Sequence, residues 1–453
     1  MKKLLLVVCL AVPVLAFGQQ GQTGLNGVSF IAPLQISGGT DHNFLVDRTN
    51  PNQRLLVLSL PPSLQSAAPS ILPKRLDDQV FTVVLPKIGY QNDSKRHEFF
   101  ATYVPEFEMF AHNSDQNAMG QEATATFTYF LARNIQISAG DSYRSSHDPA
   151  RTLDNVMLLL PRSPYHENDI RAGLEFVVNP LTAFGARYDN DRANFGQTDP
   201  FQARILDSQS AGYSVFGTRM LSRTQRLRVT YGIFKITPLN PHAKFEDQVD
   251  VPYSFTKPIH SGTLEYRLAL NPNTILTFSG GAIGLDTGLN YTFRAGIDKR
   301  IGNYYWLSGG FARSLSFSSG TTPAGFSPGL GSTGFFDVYT ARFKGQPTRK
   351  IGVLFDTTIS RDAAGKVATG IQSLMARARL DYRVSDREVL FTSIESFEQN
   401  NNAYVRAPLS RNRFMVGIEI SLSNETDRRL NHANQDAQYV ALTDHQRRRS
   451  TAQ

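Results

Sequence analysis

The sequence carries a single cysteine, Cys9, in 453 residues. It falls in a segment expected to be removed, so the mature chain can form no disulfide even in an oxidising compartment, and its stability has to come from its strand ladder. No stretch beyond the N-terminus approaches the roughly 18 consecutive apolar residues of a spanning helix, which excludes a helical inner-membrane protein. Gly-rich phosphate loops, zinc-ligand spacings and nucleic-acid motifs are missing as well. No cofactor, no metal and no nucleic-acid partner are therefore expected. Helical periodicity is also scarce, so nothing is available to cover a large sheet from outside.

What the sequence has is a recurring segment of ten to fourteen residues that alternate apolar and polar, each ended by an abrupt turn. In 411–422 the residues Phe414, Val416, Ile418, Ile420 and Leu422 share one face, while Arg413, Met415, Gly417, Glu419 and Ser421 share the other. A period of two is a strand. With no second layer to bury so many apolar faces, they must meet lipid. A transmembrane strand needs roughly 9–11 residues, apolar outward and polar inward, in a barrel closed so that no backbone group is left unpaired in hydrocarbon. The slightly negative mean hydropathy agrees, because only every second strand residue faces lipid.

Strands are expected near 28–37, 79–90, 98–110, 122–131, 135–144, 169–178, 181–189, 208–221 and 225–237, then near 261–270, 274–285, 290–301, 304–317, 335–344, 349–360, 370–383, 388–397 and 411–422. The fold class expected is all-β, a single transmembrane antiparallel β-barrel of about 18 strands, or 16 if the first two are misread. Tight turns at 92–96, 132–134, 179–180, 222–224, 271–273, 302–303, 345–347 and 385–386 alternate with long loops such as 145–168, 190–207, 238–260 and 318–334. Short turns belong on the periplasmic side and long loops outside. Only 286–289 breaks the rule, being short where a long loop is due.

The ends read differently. Lys2 and Lys3, the apolar stretch 4–15 and the small-x-small site Ala16-Phe17-Gly18 indicate a signal peptide over 1–18. Residues 19–27 form an N-terminal extension, 28–422 the barrel and 423–453 a polar basic tail expected to be flexible. Within the barrel, 38–77 holds Pro51, Pro61, Pro62, Pro69 and Pro73 and is read as a long loop or a plug. The net charge of +8 becomes +6 once Lys2 and Lys3 leave with the signal peptide.

Alternation also names the inward residues. The candidates for lining the lumen and touching solute are Arg187, Arg226, Arg228, Arg267, Arg294, Arg342, Arg377, Arg379, Arg383, Arg411 and Arg413. Arginine stays charged at any physiological pH, and its planar fork grips carboxylate or phosphate. Basic inward groups outnumber acidic ones by about two to one in this reading, and such a wall favours anions. Pairing across strands, as of Arg379 with Asp356 or Arg187 with Glu175, would neutralise most of them. Arg377, Arg379, Arg383, Arg411 and Arg413 are expected to stay least neutralised.

An enzyme is not expected. Catalysis on a barrel needs a nucleophile or activated water beside a base on a strand, whereas every histidine falls in a loop, a strand end or the tail. The group His147, Asp148, Asp154, His166, Glu167 and Asp169 could hold a divalent cation but lacks diagnostic spacing.

With these features in view, the chain resembles Gram-negative outer-membrane β-barrels over nearly its whole mature length. The stretch Gly39-Thr40-Asp41-His42-Asn43, the strand end Tyr188-Asp189-Asn190 and the closing segment Ser410-Arg411-Asn412-Arg413-Phe414 are loosely similar to barrels of exopolysaccharide synthesis and alginate-type export. The resemblance implies passage of an anionic polysaccharide, with no residue carried over. The chain lacks the large plug domain of energy-coupled receptors, the periplasmic repeats of insertases and a terminal aromatic residue. The function expected is a porin-like channel for anionic or saccharide solutes, with exopolysaccharide export as an extension. The alternatives are a non-conducting scaffold barrel that binds partners through its loops and a lipid-modifying enzyme. The partners expected are outer-membrane lipid and lipopolysaccharide, the solute, and a second copy of the chain, in the outer membrane of a Gram-negative-type bacterium.

Overall fold

A computed structural model describes residues 27–30, 32–42, 78–94, 96–148, 164–195, 208–239, 257–285, 288–302, 304–315, 335–362, 371–401 and 405–421. The segment 1–18 read as a signal peptide, residues 43–77 of the segment read as a loop or plug, and the tail 423–453 lie outside them. Twenty strand segments form one antiparallel sheet. In chain order they are β1 (Gly27–Phe30), β2 (Leu34–His42), β3 (Asp78–Val84), β4 (Ile88–Asp93), β5 (His97–Phe110), β6 (Ala118–Ala132), β7 (Ile135–Ser146), β8 (Tyr165–Asn179), β9 (Thr182–Phe195) and β10 (Ser208–Ser222). They continue with β11 (Gln225–Pro238), β12 (Ile259–Asn271), β13 (Thr274–Leu285), β14 (Gly288–Ile301), β15 (Tyr305–Leu315), β16 (Phe335–Gly345), β17 (Ile351–Asp362), β18 (Ile371–Arg383), β19 (Glu388–Asn401) and β20 (Val405–Ile420).

Each segment from β5 to β20 pairs with the next, and β20 pairs with β2, from Leu34↔Ile420 to His42↔Asn412, closing the sheet. Segments β1 and β2 are two halves of one stave, and β3 and β4 are two halves of the next, since β1 pairs with β4, β2 with β3, and β3 and β4 both with β5. The protein is thus a closed antiparallel barrel of 18 staves. Both interruptions have one cause. Pro33, Pro86 and Pro105 stand at neighbouring positions of three adjacent staves, and proline brings no N–H to a ladder. The Leu85 amide donates to Pro105 O at 2.9 Å and holds the gap together.

All eighteen expected strands are present, so the sixteen-strand alternative is set aside. Several run further than the alternation indicated: β20 begins at Val405, β8 at Tyr165, and β9 continues to Phe195. These extensions lie at the long-loop ends, above the height at which the outer face has to be apolar, and there the period of two fades. The short connection is confirmed. Leu285 pairs with Gly288, whose φ of 124° only glycine adopts easily. At the other end, local side-chain turns stop the strands: Asn179 Oδ1 accepts from the Leu181 amide at 2.9 Å, Asn271 Oδ1 from the Asn273 amide at 2.9 Å, and Ser222 Oγ from the Thr224 amide at 3.2 Å.

The outer face is apolar and exposed, with Leu174, Phe184, Val215, Val229, Leu264, Phe293, Phe355, Leu380 and Val416 among its residues. Aromatic rings meet on it towards the strand ends, for example Tyr143 against His166 at 6.4 Å at the long-loop end and Tyr305 against Phe343 at 6.0 Å at the short-turn end, between ring centroids. An apolar band flanked by aromatic girdles is the pattern of a transmembrane barrel. No described helix is long and apolar enough to cross a membrane.

Candidate functional site: the lumen wall

The register places all eleven candidate arginines on inward positions. Five of them, Arg342, Arg377, Arg379, Arg383 and Arg413, border a cavity of about 850 Å³ at the short-turn end, together with Lys344, Arg349, Lys350 and Arg387, and with Glu106, Asp381, Glu395 and Glu419 as its acids. Asp356 Oδ2 accepts from Arg342 at 2.9 Å and from Arg377 at 2.8 Å, so two cations share one carboxylate. Arg379 pairs with Asp381 at 2.7 Å and Glu419 at 2.6 Å, and its guanidinium carbon lies 4.3 Å from the centre of the Phe391 ring. On the opposite wall Arg226 reaches Glu265 at 3.0 Å, Arg228 stands 4.1 Å over Phe216, and Arg187 is ion-paired with Asp189. Arg267 lies beside Arg226 in the register, and Arg294 lies between Ser279 and Ala312.

The expected pairs Arg379–Asp356 and Arg187–Glu175 are replaced by these. Arg187 takes Asp189 along its own strand, Arg379 takes Asp381 along its own strand and Glu419 from two strands away, and in some pairs the short carboxylate sinks behind the long cation. Asp356 is 15 % exposed against 56 % for Arg342, and Asp169 is 7 % exposed against 46 % for its partner Arg171. The order is reversed in other pairs: Asp381 is 33 % exposed against 21 % for Arg379, and Glu265 37 % against 15 % for Arg226.

Arg411 and Arg413 overturn the expectation that they are free for solute. They are 6 % and 4 % exposed and are held by acids that are themselves buried. Arg411 holds Asp41 through Nε at 3.0 Å and Nη2 at 2.7 Å, and Asp148 through Nη1 at 3.0 Å and Nη2 at 2.7 Å. Arg413 donates to Glu108 at 2.8 Å and to Thr82 Oγ1 at 2.9 Å. Their acids come from β2, β5 and the end of β7, far away in sequence. The ratio of two bases to one acid fails for the same reason. Asp41, Asp78, Glu106, Glu108, Glu122, Glu167 and Asp191 also face inward, and all stand on the staves before β10, whereas Arg226 to Arg413 stand on those after it. Extending the same two-residue parity through the first strands would have found them.

The lumen is also graded along its axis. Inward residues near the long-loop ends are buried: Asp41, Val80, Phe110, Tyr165, Ala193, Ile236, Ile259, Phe336, Ser373, Phe397 and Arg411. Val80, Phe110 and Met415 pack into a small apolar cluster inside the barrel. Inward Ile283, Thr292 and Ala312 of β13 to β15 stay partly exposed at that end. The considered cation group is split: His166 turns outward to Tyr143 Oη at 3.2 Å while Glu167 and Asp169 face inward, and Asp148 is taken by Arg411. Asp154 lies outside the described residues. Among the described residues no group of three or more His, Cys, Asp or Glu is placed to hold a metal ion.

No protein-family model and no curated protein matches the sequence. Solved structures similar to it include Pseudomonas aeruginosa OccK3 (OpdO), at 12 % identity and a TM-score of 0.44, covering 85 % of this chain and 94 % of that one. P. aeruginosa OpdK with vanillate follows at 10 % and 0.42, covering 86 % and 98 %. The siderophore receptor PirA of the same organism gives 10 % and 0.33, covering 86 % and 80 %. At these identities and TM-scores the likenesses assign neither a family nor a solute.

Proposed function

We propose that the protein is a passive, porin-like channel of a Gram-negative-type outer membrane, with its long loops outside, that favours small anionic solutes. The observation that carries this reading is the basic cavity of about 850 Å³ at the short-turn end, whose lining holds nine arginines and lysines against four acids, beside Asp356, which two arginines share. An 18-stave barrel is wide enough to leave an aqueous lumen unless it is filled. Inward residues at the long-loop end are buried over much of the circumference, whereas Ile283, Thr292 and Ala312 stay partly exposed there, so the proposed path follows β13 to β15. Charged groups at the constriction then set selectivity.

The direction in which the basic cavity opens favours a second reading, export of a polyanionic saccharide. Arg349, Lys350 and Arg387 lie on the short turns at its rim and would capture such a chain from the periplasmic side. Adding an anionic oligosaccharide to one side of a bilayer at a time tests both readings. Block from the short-turn side alone supports the basic cavity as the entry site. Equal block from both sides, or none, contradicts it.

A further inference from the structure

Three staves carry an ionic cluster on the outer wall that the lumen cannot use. Arg313 of β15, Asp337 of β16 and Arg361 of β17 are neighbours in the register, and they share the outward face with Phe311, Tyr339 and Ile359. Arg313 grips Asp337 through Nε at 2.7 Å and Nη2 at 2.8 Å. Arg361 Nη2 lies 3.6 Å from Asp337 Oδ2 and donates to Tyr339 Oη at 3.1 Å, with its guanidinium carbon 5.6 Å from the centre of that ring.

Charge on a lipid-facing wall is costly in hydrocarbon and becomes tolerable at the headgroup level. All three residues stand within two positions of the long-loop ends of their strands, above the apolar Phe311, Phe355 and Ile359. Two cations face one anion, and the anion is the buried member: Asp337 is 3 % exposed while the Arg313 and Arg361 side chains are 45 % and 54 % exposed. Asp337 thus fixes two guanidinium groups side by side and leaves a net positive charge with N–H groups turned to the membrane surface. Paired guanidinium forks suit a phosphate, which accepts several charge-assisted hydrogen bonds at once.

We infer that Arg313 and Arg361 clamp the phosphate of a lipid headgroup in the leaflet at the long-loop end, with the Tyr339 ring against the remainder of the headgroup. With the long loops outside, that lipid is lipopolysaccharide. The inference rests on the barrel spanning a membrane and is independent of what the lumen passes.

The test refolds the full chain into phosphatidylcholine vesicles containing lipopolysaccharide, or its dephosphorylated form, and counts lipid retained after detergent extraction by native mass spectrometry. Wild-type protein is expected to retain the phosphorylated lipid and to lose the dephosphorylated one. Arg361→Gln should bind about fivefold more weakly, the contribution of one arginine near a membrane surface, and R313Q/R361Q should retain almost none. The inward variant Arg342→Gln should behave as wild type. Equal retention by wild type and R361Q, or by wild type with either lipid form, overturns the clamp. R361Q leaves the Arg313–Asp337 pair in place, so it decides the matter even if the double variant fails to fold.

Discussion

Arg411 and Asp148 meet inside the barrel through two hydrogen bonds of 3.0 and 2.7 Å, although β20 and β7 are separated in the sheet by β2, β3, β5 and β6. The contact ties the closing strand to the segment just beyond β7, and Asp41, on the first stave, completes the grip from beside the seam. A residue that sequence reading places on a solute-lining wall is thus a brace. One guanidinium bridges two buried carboxylates, with Arg413 Nη1 also 3.8 Å from Asp41 Oδ2, and that arrangement governs what substitutions there will do.

Arg411→Gln should destabilise the barrel by about 3–5 kcal/mol, the usual cost of leaving buried charge uncompensated. Asp148→Asn should cost less, because Arg411 keeps Asp41. Urea unfolding followed through the single tryptophan, Trp306, measures both. Equal losses would show that the brace does not work through charge.

Selectivity should follow the exposed cations and ignore the buried ones. The triple variant R342Q/K344Q/R383Q should lower the anion-over-cation permeability ratio several-fold, as removing charges from a pore lining does. Reversal potentials under a salt gradient give the ratio. Asp148→Asn, away from this cavity, should leave it nearly unchanged.

The seam between β2 and β20 requires glycine. A Cβ on Gly39 would run into the backbone of Phe414, and one on Gly417 into the backbone carbonyl of Ile36. Neither neighbour can yield without breaking the closing ladder. Gly39→Val should therefore reduce the fraction of heat-modifiable, folded barrel on a gel, whereas Gly280→Val, where an added Cβ meets nothing, should not.

The staves and their number were legible because lipid enforces alternation: Phe414, Val416, Ile418 and Ile420 announce one face without help from the rest of the fold. The interruptions at Pro33 and Pro86 were not legible as breaks within one stave, since proline marks a missing ladder bond but not which neighbour spans the gap. Inward positions were readable by parity, and every candidate arginine does face the lumen. Partner choice was not. Arg411 looked unneutralised beside Arg377 and Arg379, yet Asp41 and Asp148 reach it from staves that only closure of the barrel brings near. The outward cluster of Arg313, Asp337 and Arg361 is not legible in the sequence, because these three lie above the apolar band and become neighbours only through the pairing of β15, β16 and β17.

The most direct test of the channel is single-channel recording of the refolded mature protein in a planar bilayer under a salt gradient. The excess of basic groups around the cavity at the short-turn end predicts stable openings with a reversal potential shifted towards that of the anion. A folded barrel that stays silent, or one that selects cations, would contradict it.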